Sequence, residues 1–282
     1  MEPLSDKVII YDSHCPLCHW YTGEFVKRGI LDETGRMPFD CLTAAASQHI
    51  DEHKSRHEIP LIDLKGGKTL YGIDSLIYLL SKKFNFVGKL MSHRPLYSFF
   101  KGLYAVISYN RRIISGADKR KEQYTCEPDF NLKFRIIFIA FAFVVASYVA
   151  MGFGNALAEF LPEKYQYFAS TRMFLITSTG WIISAGISYF FLNFRIWVDY
   201  LGHLATIMLI GVLMFLPWLL LSKLFSGVYP ITLLIGMFIS LVFMAIQHKK
   251  RVSVLQIGQR WTLVWILSLL SGAISWGYFF FG

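Results

Sequence analysis

Five long apolar stretches, at residues 136–154, 173–192, 197–222, 228–246 and 261–281, decide most of what this chain can fold into. Crossing a bilayer takes about 20 apolar residues. In hydrocarbon every backbone polar group must be satisfied within its own segment, which makes each stretch a helix. Residues 131–282 hold 10 Lys and Arg but only 3 Asp and Glu, whereas residues 1–130 hold 18 and 16. The whole chain is 54% hydrophobic and 17% charged, against about 45–50% and about 25% in soluble domains. A fully soluble protein, a disordered chain and a disulfide-rich secreted scaffold are excluded. The expectation is a soluble domain over 1–130 and an α-helical membrane domain of about five spans over 131–282.

The net charge of +9 could point to nucleic acid, but the basic residues flank the apolar runs, where they act as an orientation signal. With the N-terminus in the cytoplasm, Lys119, Arg120, Lys121, Lys133, Arg135, Arg195, Lys249, Lys250, Arg251 and Arg260 fall inside, and Lys164, Arg172 and Lys223 outside. The expected placement is therefore an integral protein of the cell (inner) membrane, N-terminus cytoplasmic and C-terminus outside. Its partner is the lipid bilayer, not nucleic acid. The first seven residues are polar, so no secretory signal peptide is expected.

The first half alternates strand and helix patterns. Strands are expected at 8–11, 36–42, 61–64 and 69–71, and helices at 19–30, 43–53 and 76–84, the last capped by Asp74 or Ser75. Residues 95–109 read as an amphipathic segment rather than a sixth span. The order β-α-β-α-β-β-α resembles that of thioredoxin-like α/β domains.

Cys15-Pro16-Leu17-Cys18 follows a strand directly and opens a helix. A thiolate there is stabilised by free N–H groups and the helix dipole, and a second cysteine one turn on can resolve a mixed disulfide on the first. The expected chemistry is attack by Cys15 and resolution by Cys18, with no cofactor beyond the dithiol. Its partner is a disulfide-containing protein or a low-molecular-weight thiol. Thioredoxin-like domains place a cis-proline before a strand beside the cysteines, and Pro60 stands in the matching position. Pro60, the backbone of its neighbour Ile59, and His14 are the expected substrate contacts; His14 or His19 beside the motif could also favour a thiolate.

Asp12-x-x-Cys15-x-x-Cys18 within IIYDSHCPLC, LYGIDSLIYLL at 70–80 and LYAVISYNRRIISG at 103–116 resemble the DCC family of thiol-disulfide oxidoreductases, relatives of thioredoxin. The likeness covers residues 7–130, with Cys126 where the family often has a cysteine. Ser13 departs from the glycine of many relatives. The resemblance implies a thioredoxin-like fold and disulfide exchange, with Asp12 capping the helix or taking a proton from Cys18. No likeness extends over 131–282.

Two alternatives stand beside this reading. His49, His53 and His57 recur at i, i+4, i+8 and could join Cys15 and Cys18 around zinc. The gap from Cys18 to His49 is about twice the usual finger spacing, and Asp51, Glu52, Lys54 and Arg56 mark a solvated surface, so no metal is expected. Alternatively the spans form a transporter, channel or scaffold acting through Arg195, Asp199 and His203, which share a helix face, and the CxxC domain senses redox state or zinc. Cys41 reads as a small buried residue. No cysteine follows Cys126, so a thiol relay across the bilayer within this chain is not expected.

Overall fold

The computed structural model describes residues 3–117, 128–224 and 230–281; Cys126, Lys119, Arg120 and Lys121 lie outside the described residues. Contacts divide the chain into one unit from Met1 to Arg135 and a second from Ile136 to Gly282.

In the first unit, β1 (Lys7–Tyr11) runs into α1 (Pro16–Lys27), followed by β2 (Arg36–Pro38), α2 (Ala44–Ser47), α3 (Glu52–Ser55), β3 (Pro60–Asp63), β4 (Leu70–Tyr71), α4 (Ile73–Lys83), α5 (Asn85–Met91) and α6 (Arg94–Ser115). The strands form one mixed sheet in the order β2-β1-β3-β4. The central β1 is parallel to β2 and antiparallel to β3, with Ile9 opposite both Arg36 and Leu61. Side chains alternate across a strand, so β1 feeds two cores. Ile9 and Tyr11 pack with Phe25, Leu31, Leu61 and Leu79 on one face. Val8 and Ile10 pack with Phe39, Ala46 and Ile62 on the other.

Four expectations change here. The strand expected at 36–42 stops at Pro38, which has no N–H to continue the ladder, and a tight turn over Phe39–Cys41 takes its place. That turn leaves Cys41 exposed rather than buried. The helix expected at 43–53 is two short ones, each with its own cap: Thr43 accepts from Ala46 N and Asp51 from Lys54 N. The cap of α4 is Gly72, at φ 59°, and neither Asp74 nor Ser75. A β-carbon at Gly72 would lie 3.1 Å from the Tyr104 ring.

The second unit holds helices α7 (Leu132–Ala158, its first turn within the first unit), α8 (Glu163–Gln166), α9 (Ala169–Phe191), α10 (Phe194–Leu224), α11 (Pro230–Val254) and α12 (Arg260–Phe281). Five of these, all but α8, are long and apolar enough to cross a membrane. Helix α9 packs along α12, and α10 along α11. Hydrophobic driving force is absent between helices in lipid, so close backbone approach must supply the packing. The α9–α12 contact does this at Gly180 and Gly272: a β-carbon on Gly180 would sit 2.7 Å from Leu269 Cα, and one on Gly272 2.8 Å from Gly180 N.

Gly180→Val should therefore destabilise the membrane unit by about 1–3 kcal/mol through overpacking. Gly186→Ala, on the same helix with nothing within 4 Å of its β-carbon, should leave stability unchanged. Melting of the full chain in detergent measures both.

Candidate active site

The turn from β1 to α1 is built by Asp12. Its Oδ1 accepts from His14 N at 3.1 Å, and its carbonyl accepts from Cys15 N at 3.2 Å. This Asx geometry delivers Cys15 to the cap position, with extended φ and ψ of −95° and 106° and Pro16 following at the first helical position. Cys15 Sγ accepts from Cys18 N at 3.4 Å. The cap is thus Cys15 itself, the residue expected to attack, and Asp12 closes the preceding turn rather than capping the helix.

The two cysteines are free thiols, 0% and 4% exposed, and their environments drive them apart. A hydrogen bond from the Cys18 thiol, the Cys18 backbone N–H and the charge of Arg111 bring Cys15 down from an ordinary 9.0 to about 6, against burial and the Asp12 charge. Cys18 is held well above the ordinary range, as donor to Cys15 and by burial. A thiol with a value near 6 is about nine-tenths thiolate at neutral pH. The pair is therefore polarised into one thiolate and one thiol.

The positive charge comes from α6. Arg112 Nη2 lies 3.4 Å and Arg111 Nη2 3.9 Å from Asp12 Oδ2, with all three side chains buried. Arg111 Nη1 also donates to Ser108 Oγ at 3.3 Å, and Ser108 in turn donates to the His57 carbonyl. Neither arginine was picked out as a site residue by the sequence reading. The signal available was the Arg pair in LYAVISYNRRIISG, one of the stretches that carries the family resemblance.

A largely apolar cavity of about 320 Å³ reaches Cys18, with Leu17, Trp20, Tyr21, Tyr104 and Arg111 among its walls. Ile59 lines it through its side chain, but its backbone is occupied. Ile59 N donates to the Tyr104 phenol at 3.0 Å, and Ile59 O accepts from Gly72 N at 2.9 Å and Ser75 Oγ at 3.1 Å. The expectation that this backbone pairs with substrate is therefore corrected: the protein already uses both groups. Pro60 opens β3 opposite Tyr71 through a trans bond, no cis peptide being present among the described residues. A proline at the first position of a strand removes no ladder donor that the sheet needs. Burial pushes Tyr104 up to about 12, so it remains a neutral phenol.

His14 is turned to Asp40, its Nε2 3.7 Å from Oδ2, and is not among the cavity residues. His19 lies edge-on to Tyr11 at 5.8 Å. The expected face of His49, His53 and His57 does not form, because Gln48–Ile50 break the helix between α2 and α3. Among the described residues the cluster of three possible metal ligands is His53, His57 and Asp129, and it includes neither Cys15 nor Cys18.

The membrane unit contains a second polar constellation. Arg251 Nη1 donates to His203 Nδ1 at 3.0 Å. The Tyr200 phenol lies 3.0 Å from His248 Nε2, and His248 Nδ1 3.1 Å from Thr262 Oγ1. His248 also stacks on Trp265 at 4.8 Å. Arg195, Asp199 and His203 lie at i, i+4, i+8 on α10; Asp199 and His203 are buried, whereas Arg195 is exposed. Arg251, His248 and Tyr200 come from positions that hydropathy alone treats as flank or span.

Arg111→Met should raise the Cys15 titration midpoint from about 6 towards the ordinary thiol range, and Arg111→Lys should hold it nearer 6. The rate of Cys15 alkylation against pH, read by mass, gives the midpoint: it rises as pH climbs through that value and then levels. No protein-family model, curated protein or solved structure matches the chain.

Proposed function

We propose that this chain is a membrane-anchored thiol–disulfide oxidoreductase whose reactive pair is Cys15 and Cys18, on a thioredoxin-like domain. The observation that carries the reading is the polarised dithiol at the head of α1: Cys15 at about 6 as the cap, and Cys18 held as the thiol that donates to it. The sheet order β2-β1-β3-β4, with a parallel β1–β2 pair and antiparallel β3 and β4, supports the thioredoxin-like assignment, as does the D-x-x-C-x-x-C resemblance.

In the forward step the Cys15 thiolate attacks one sulfur of a substrate disulfide. A Cys15–substrate disulfide forms, the substrate S–S bond breaks, and the other substrate sulfur leaves as a thiolate. Cys18 then passes its proton to the substrate thiolate already released and attacks Cys15 Sγ, releasing the second substrate sulfur as a thiolate and leaving a Cys15–Cys18 disulfide. Two electrons pass from the protein to the substrate. Cys15 is fully covered in this state, so its neighbours must give way for a disulfide to reach it. The apolar cavity reaches the resolving thiol, Cys18. The charge distribution along the chain supports a cytoplasmic N-terminus, which makes reduction of a protein disulfide or a low-molecular-weight disulfide the expected direction.

A second reading rests on the buried His203–Arg251 and Tyr200–His248–Thr262 contacts. Ionisable groups inside spans mark ion or substrate paths, which would make the membrane unit the working part and the dithiol its sensor.

The test is a redox titration of the full chain in detergent, with the state of each cysteine read by alkylation and mass. A reversible two-electron transition between about −120 and −270 mV, together with client mixed disulfides trapped by Cys18→Ser and lost in Cys15→Ser, is expected. Thiols that stay reduced across that range overturn the reading.

A further inference from the structure

A second cluster of side chains in the first unit has no part in dithiol chemistry. His57 Nε2 lies 3.0 Å and His53 Nε2 3.9 Å from the same carboxylate oxygen, Asp129 Oδ2. The three ligand atoms all lie within 4.8 Å of one another. Three donors at about 2.0–2.1 Å from a tetrahedral zinc are separated from one another by about 3.3 Å. The two measured separations bracket that value, and small rotations of the exposed His53 and Asp129 side chains close the third.

The set is built unevenly. The His57 side chain is only 11% exposed, while those of His53 and Asp129 are 81% and 56% exposed. The His57 ring is clamped by a stack on Tyr109 at 4.7 Å, and Tyr109 stacks on Phe134 at 4.7 Å. Its Nε2 is the nitrogen that faces the carboxylate, while Nδ1 is buried with no hydrogen-bond partner among the described residues. A fixed imidazole thus meets a second imidazole at i+4 spacing and an anionic oxygen from a distant segment. Two histidines and one carboxylate suit a borderline divalent cation such as Zn²⁺, Co²⁺ or Ni²⁺, with a further position open to water, and do not suit Mg²⁺ or Ca²⁺, which take oxygen ligands.

We infer that His53, His57 and Asp129 form a site for one divalent transition-metal ion, separate from Cys15 and Cys18. The alternative is a His57–Asp129 hydrogen bond that holds no metal.

The full chain, purified in detergent with no polyhistidine tag retained, is titrated with Zn²⁺ by calorimetry and with Co²⁺ by absorbance. One equivalent is expected, with a cobalt d–d spectrum free of sulfur-to-metal charge transfer. His53→Ala and His57→Ala should each weaken binding about tenfold or more, since even residues behind the ligands can matter by about 10–100-fold. Asp129→Asn keeps an acceptor for His57 but removes the anionic ligand, and at an exposed position it leaves the core intact, so a similar loss there cannot be blamed on unfolding. Cys15→Ser with Cys18→Ser should leave the stoichiometry and spectrum unchanged. No saturable binding, binding indifferent to the three substitutions, or a charge-transfer band that disappears with Cys18→Ser overturns the inference.

Discussion

Two guanidinium groups, Arg111 and Arg112, converge on the buried carboxylate of Asp12, across as many as 100 residues of sequence. Moving such charges out of water costs several kcal/mol per ion, and only close pairing offsets it. Asp12 meets that demand with one oxygen and uses the other to hold the His14 N–H. The carboxylate that neutralises α6 is therefore the one that shapes the turn before Cys15. The end of the central strand β1, the start of α1 and the long helix α6 are fixed against each other at this point, and the dithiol lies where the three meet.

Burial alone would raise a thiol, and Cys15 is fully buried; it titrates near 6 because direct hydrogen bonds from the Cys18 thiol and N–H outweigh desolvation, with Arg111 adding to them. Cys18 goes the other way, because its thiol is the donor to Cys15 and burial adds to the rise. The difference between the two is one of position on a helix. Cys15 at the cap faces unpaired N–H groups, while the backbone of Cys18 is already inside the first turn.

Those features were legible because they are local. A β-branched run, two cysteines three apart and a proline between them place β1, the cap and α1 from adjacent residues. The spans were legible for a similar reason, since hydropathy sums over a window. What failed was set by contacts distant in sequence. Ile59 looked free to receive a substrate until α6 brought Tyr104 to its N–H and α4 brought Ser75 to its carbonyl. Residues 43–53 carry a continuous helical pattern, yet two side-chain caps, Thr43 and Asp51, start two separate turns. Arg251 looked like a flanking charge, but α11 continues to Val254 and carries it, 3% exposed, onto His203. An inward face on a span cannot be told from a lipid-facing one by apolarity, because both are apolar.

The electrostatics that arm Cys15 also bear on the direction of exchange. A stabilised thiolate stabilises the reduced dithiol, because closing the Cys15–Cys18 disulfide removes the negative charge that the Cys18 thiol, the Cys18 N–H and Arg111 favour. Whatever favours the reduced form raises the reduction potential and makes the couple a stronger oxidant. The high value of Cys18 pulls the other way, since a thiol that resists deprotonation gains nothing from charge in the reduced state. On the proposed cytoplasmic side a thiol pool would push towards reduction of substrates, while the charged setting of Cys15 would push the couple towards accepting electrons from them. The proposed reductive direction therefore depends on the pool keeping Cys15 and Cys18 reduced faster than clients oxidise them, and the strength of the Arg111 contribution sets how far that balance must lean.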